Sequence, residues 1–173
     1  MRMIGIATFA LAIGLFVAPV ARAGGEVTID KYSAKLPMGW KQEEPTNKMR
    51  LTQFKLPGPD GEAELVVFYF AGNAGTVKEN LERQVKKFES PKVSVSKTKF
   101  GPIEATYQDI TGTYLSKFPP FAPDAKITRK ANHRQLYVIF ETDKGQYYMT
   151  LLGPATTVEK HKDTFEKWLA SFQ

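Results

Sequence analysis

Residues 64–88 read ELVVFYFAGNAGTVKENLERQVKKF. Seven apolar or aromatic residues, 65–71, lead into a loop with Gly72 and Gly75, and a helical pattern follows. A run that is apolar on both faces reads as a central strand covered from both sides. The strand is expected over residues 63–70 and the helix over 77–88, with Val77, Leu81, Val85 and Phe88 on one face at spacings of four, four and three. On the opposite side Glu79 with Arg83 and Glu82 with Lys86 stand four apart, as ion pairs of an exposed helix face do.

A strand, a glycine turn and a helix start can also cradle a phosphate. A phosphate loop needs Lys and Ser or Thr directly after its last glycine, and 72–77, GNAGTV, has no lysine there and the wrong spacing. A dinucleotide fingerprint fails as well, because no parallel βαβ unit follows Gly72 and Gly75. The better reading is a corner in a fold. Thr76 and Glu79 have the T-x-x-E spacing of a capping box, in which hydroxyl and carboxylate satisfy the first free N–H groups of a helix. The same recipe appears at 156–159, TTVE, before a closing helix expected over 158–172.

Working outward, strands are expected over 27–36, 49–56, 93–100, 103–115, 136–142 and 146–152. Turn chemistry stands at Pro57 to Gly61, Gly101-Pro102 and Asp143-Lys144-Gly145. Strands in hairpin order with two helices specify an α+β chain, an antiparallel β-sheet of about six to seven strands flanked by helices.

The N-terminus places Arg2 before an apolar core over residues 3–17, then Pro19 and Ala21-Arg22-Ala23, the layout of a secretory signal peptide with an A-x-A cleavage site. Residues 3–20 are also just long enough to span a bilayer, but Gly5 and Gly14 dilute the run and the small residues suit a peptidase. The expectation is a signal over 1–23 and a single domain over 24–173, exported to a periplasm or secreted, with no stable membrane span after cleavage. Losing Arg2 and Arg22 takes the formal charge from +6 to +4. That mild excess with interspersed acids, in an exported protein, makes nucleic acid a poor partner.

The chain has no cysteine, so disulfides, thiolate nucleophiles, thiolate metal sites and a lipidated cysteine are excluded. His133 and His161 are not at a metal-ligand spacing; they read as a surface turn residue and a helix-face residue. No G-x-S-x-G elbow exists, and Glu43-Glu44 are neighbours rather than carboxyls facing across a cleft. The expectation is therefore a non-enzyme with no metal and no cofactor. The segment 116–130, SKFPPFAPDAKITRK, reads as a long loop in which Phe118 and Phe121 alternate with cations. Prolines stiffen it, so exposed phenylalanines there lose little entropy on meeting a partner. The candidate partner-binding surface is Phe118, Phe121, Lys126, Arg129, Lys130 and Arg134; the alternative is that both phenylalanines form a lid over the sheet end.

Leu36-Pro37-Met38-Gly39-Trp40, the 57–61 turn, the ELVVFYF strand, the GTVxxN helix start and Trp168 to Phe172 together resemble the PsbP-type α/β/α sandwich. That fold is known from an extrinsic photosystem II protein, a Ran-binding nuclear transport factor and similar exported bacterial proteins. The resemblance covers nearly all of 24–173 and implies a non-enzymatic module working by protein contact. No metal, chloride or GTPase contact set of that family carries over to residues here. The function expected is an exported binding or accessory module acting on another protein, for instance of the cell envelope. The alternatives are a small-ligand or anionic-polymer binder using residues 118–134, and a hydrolase with an unrecognised site.

Overall fold

In the computed structural model of the chain, residues 25–71, 74–120 and 122–173 are described. The signal over 1–23, Gly72 and Phe121 lie outside them. The first element is a hairpin of β1 (Glu26–Ile29) and β2 (Tyr32–Lys35), where one strand is expected; Asp30, with φ of 53°, makes the turn. Then come β3 (Lys41–Glu43), β4 (Arg50–Leu56), β5 (Ala63–Tyr69), α1 (Val77–Val85), β6 (Phe88–Phe100) and β7 (Ile103–Phe118). The last are β8 (Lys126–Thr142), β9 (Gly145–Pro154) and α2 (Ala155–Ala170). Seven strands form one antiparallel sheet in the order β3-β4-β5-β9-β8-β7-β6, so the fold is the expected α+β arrangement.

The ELVVFYF run is β5, between β4 and β9, and its alternate residues enter two cores. Leu65 and Val67 face the larger core with Phe54, Leu136, Val138, Met149 and Leu151, closed by Val158, Phe165, Trp168, Leu169 and Phe172 of α2 and its tail. The β1–β2 hairpin completes that side through Val27, Ile29 and Ala34. Ser33 and Gln173 exchange backbone bonds at 3.0 and 3.2 Å. Trp40 packs edge-on against Trp168, ring centroids 5.2 Å apart. On the opposite face Tyr137, Ile139 and Tyr148 meet Phe68, Phe70, Val77 and Leu81 beneath α1.

The corner after β5 is built as the sequence indicates. Thr76 accepts from the Glu79 N–H at 3.2 Å, and the Glu79 carboxylate accepts from the Thr76 N–H at 2.8 Å. Gly75 has φ of 82°, and a Cβ there would stand 2.8 Å from the Glu79 carboxylate. The capping box also corrects an expected ion pair. With Glu79 turned back to Thr76, Arg83 donates to Asn80 instead, and the helix pair is Lys78–Glu82.

α1 ends at Val85, and Phe88 already belongs to β6. Its buried side chains are Asn80 and Gln84, while Leu81 and Val85 are half-buried. They match a polar stretch of sheet: Gln135 donates to Gln84 at 3.2 Å and Gln108 to the Leu81 carbonyl at 3.3 Å. The apolar stripe thus shares this face with an amide layer joined by these bonds, in which the Oε1 atoms of Gln108 and Gln135 accept from no partner among the described residues.

The second capping box is absent, and α2 starts at Ala155 rather than 158. β9 runs straight into the helix through Pro154. Thr156 and Thr157 instead donate to Asp60 (2.6 Å) and the Gly61 carbonyl (2.8 Å), tying the 57–61 turn to the helix. Residues 116–130 are likewise no long loop. β7 runs to Phe118 and β8 starts at Lys126, so a seven-residue tip, 119–125, caps a two-stranded finger. His133 sits on β8, not in a turn.

Candidate functional site

The finger is the part of β7 and β8 from the Tyr114–Lys130 pair outward, where β6 begins at Phe88 opposite Tyr114. Its pairs are Tyr114 with Lys130, Leu115 with Arg129, Ser116 with Thr128, Lys117 with Ile127 and Phe118 with Lys126. Opposed residues in an antiparallel pair share a face. One face of the finger therefore carries Phe118, Lys126 and Lys130, and the other Leu115, Lys117, Ile127 and Arg129. Phe118 is 75% exposed and Ile127 46%, so neither phenylalanine lid nor core contact accounts for Phe118. An apolar or aromatic side chain stands opposite a cation in four of these five pairs, with Asp124 the one acid between Lys117 and Lys130.

The cations divide by whether a carboxylate holds them. Arg129 is bidentate on Glu89, with Nε at 2.9 and 3.0 Å from its two oxygens. Arg134 lies deeper: Nε and Nη2 grip Asp109 at 2.9 and 2.6 Å, and Nη1 donates to Glu159 of α2. Among the described residues, Lys117, Lys126 and Lys130 enter no ion pair. The structure thus brings Phe118, Lys126 and Lys130 together on one exposed face. It sets Arg129 against β6 and takes Arg134, 15% exposed, into the packing of sheet on helix.

At the base of the finger, register shifts interrupt both ladders of β7, at Glu89/Lys92 in β6 and at Gly112/Tyr114 in β7. Ser90 and Asn132 adopt φ of 48° and 52° on either side of Gly112. The disturbed backbone opens a groove of about 570 Å³, lined among others by Asp60, Glu89, Lys92, Asn132, His133 and Thr156. Both signs of charge face it. His133 has its Nδ1 against the Ala131 carbonyl at 2.9 Å, and the His161 Nε2 lies 2.9 Å from the Pro57 carbonyl. Among the described residues no three His, Asp or Glu side chains cluster as metal ligands would.

Titrations are perturbed under the helices as well as at the finger, where the Glu89 carboxylate that accepts from Arg129 raises the Arg129 guanidinium. Burial pushes the Lys87 ammonium down to about 8, although it donates to Gln84 at 2.7 Å. Burial and the Glu166 carboxylate, which accepts from its hydroxyl at 3.0 Å, hold Tyr107 well above the ordinary phenol range. Burial also raises Tyr137. For Lys87, Tyr107 and Tyr137, desolvation is the largest cause of the direction.

Comparison with known structures places these features in a fold. The chain is similar to the cyanobacterial PsbP of Synechocystis, with a TM-score of 0.54 and 11% identity over 90% of this chain and 95% of that one. A Pseudomonas aeruginosa protein of unknown function aligns over 86% of this chain and 94% of its own, at 16% identity and a TM-score of 0.48. No protein-family model and no curated protein matches the chain. The likeness to PsbP shows the PsbP-like fold expected from the sequence.

Proposed function

We propose that the chain is an exported, non-enzymatic accessory module that works by contact with another protein of the cell envelope, and that the β7–β8 finger makes the contact. The observation that carries this reading is Phe118, an aromatic ring left 75% exposed and opposed across the hairpin by Lys126, which among the described residues enters no ion pair. An exposed aromatic flanked by cations on a two-stranded support suits the centre of a protein interface, where rigid apolar anchors and positive rims supply affinity and orientation. The PsbP-like fold supports an accessory or binding role, and the sequence layout 1–23 supports export.

The test is capture from the organism's own envelope fraction by wild-type protein and by Phe118→Ser and Lys126→Glu/Lys130→Glu variants. A specific protein retained by wild type and lost with both variants is the expected outcome. Equal capture by all three would sink the assignment of the finger.

A second reading, an anionic small molecule or polymer bound along the same side, is favoured by Lys126 and Lys130, which share one face of the finger and among the described residues enter no ion pair. It predicts binding of a polyanion such as heparin that weakens with salt and falls when Lys126, Arg129 and Lys130 are changed together. Binding indifferent to both would remove it.

A further inference from the structure

The seven-stranded sheet has two edges that solve the edge problem differently. β3 is three residues long, and a short edge offers little to pair with. β6 is 13 residues long, and among the described residues no strand pairs with its outer side. Its residues 92–97 are all exposed, with Val93 at 42% and Val95 at 51%. Opposite Ile110 and Gln108 of β7, the two valines lie on the α1 face of the sheet. Lys92, Ser94 and Ser96 lie on the α2 face.

Lysines on an edge usually oppose strand addition, so their positions in a self-pairing decide the matter. In an antiparallel pairing of two copies about a two-fold axis through Ser94, Ser94 meets Ser94, Val93 meets Val95, Lys92 meets Ser96 and Lys97 meets Pro91. The axis runs through the sheet, so the α1 faces of both copies lie on one side and four valines form a single apolar cluster. No lysine stands opposite a lysine. A one-residue slip sets Lys92 against Lys97 and turns the valines to opposite faces. Centring the axis on Val95 puts Val93 opposite Lys97, and centring it on Val93 puts Val95 opposite Pro91. One register satisfies both valines and both lysines.

We propose that β6 pairs antiparallel with β6 of a second copy of this chain about an axis at Ser94, joining the two sheets. Pro91 has no N–H to donate and the register shift beside it bends the strand away, so the shared ladder spans 92–96 in each copy. That is far fewer than the roughly 20–30 residues a side of a standard interface, and the dimer is accordingly weak and concentration-dependent.

The absence of cysteine from the chain makes the register directly testable. In Ser94→Cys the two thiols are directly opposed, with Cβ atoms about 4.5–5.5 Å apart before any adjustment, close to disulfide reach. In Ser96→Cys the counterpart is Lys92, and the two thiols are offset by four residues, about 13 Å. Under mild oxidation Ser94→Cys is expected to give at least tenfold more disulfide dimer than Ser96→Cys. Light scattering on the unsubstituted protein should show the mass rising from one chain toward two with concentration, and Val95→Lys should hold it at one chain with an unchanged circular dichroism spectrum. A constant one-chain mass would overturn the proposal, as would equal cross-linking of the two cysteine variants or a two-chain mass that survives Val95→Lys.

Discussion

Arg134 on β8 closes on Asp109 of β7 with two nitrogens, Nε to Oδ1 at 2.9 Å and Nη2 to Oδ2 at 2.6 Å, and sends its third nitrogen to Glu159 of α2. The guanidinium thus fastens two strands and a helix at one point. Its side chain is 15% exposed and that of Asp109 18%, so either charge left alone would be poorly solvated. Arg134→Met is expected to cost about 2 kcal/mol in urea denaturation. Arg134→Met/Asp109→Leu should cost less than the sum of the single changes, because no charge is then stranded. Strict additivity would show that the pair is not coupled.

Lys87 gives a pH dependence of defined sign. Its ammonium titrates at about 8 in the fold against 10.5 in the open chain, so folding disfavours the charged form. Below pH 8 both states hold the proton and the full penalty applies. Between pH 8 and 10.5 the unfolded chain binds more protons, and stability rises. Lys87→Met is expected to be more stable than wild type at pH 7 by up to about 3 kcal/mol. The gap, followed by denaturant titration, should narrow between pH 8 and 9.5; a gap that is flat with pH would contradict the burial argument.

At the start of α1, Thr76→Ala removes the hydroxyl that receives the Glu79 N–H and should cost about 1 kcal/mol. The backbone and hydroxyl of Thr76, in that order, hold the Glu79 carboxyl below its usual range. This contribution is present above the carboxyl's open-chain titration and is lost as the pH falls through its lower, folded-state value. Hydrogen exchange of the first-turn amides of α1 should therefore accelerate in Thr76→Ala at neutral pH and in wild type in acid. Protection unchanged in both would remove the cap from the account.

Gly101 turns β6 into β7 with φ of 58°, and a Cβ there would lie 2.3 Å from the Phe172 carbonyl oxygen. Gly101→Ala combines a left-handed backbone with a clash against main chain that cannot rotate away. The expected loss is about 2–3 kcal/mol, read as a melting point lower by about 4–12 °C. Gly39→Ala serves as the comparison, because φ is 85° but its Cβ would meet nothing within 4 Å. It should cost about 1 kcal/mol, and equal losses at both sites would show that the carbonyl contact is immaterial.

What could be read in the sequence follows from how local each signal is. The corner at Gly75, Thr76 and Glu79 needs residues within four positions of one another, and the Asp143-Lys144-Gly145 turn needs three; both are found where they were expected. The finger was hidden because residues 126–130 are exposed on both faces and show no alternation, while three prolines nearby suggest loop. Arg134 could not be distinguished from its basic neighbours, since its partner lies 25 residues away across a strand pair. The Thr156 spacing misled for the opposite reason: a turn almost a hundred residues earlier takes both hydroxyls. The edge of β6 had no signature, for strand order is not written in any one segment.

The clasp between Ser33 and Gln173 has a meaning in time as well as space. β1 and β2 leave the ribosome early, yet their apolar side chains share one core with Trp168 and Phe172, which are translated after every strand of the sheet. Until those arrive, Phe54, Leu65, Val138 and Met149 have no helix above them. The larger core is thus closed only by contacts of long sequence separation, which slow folding.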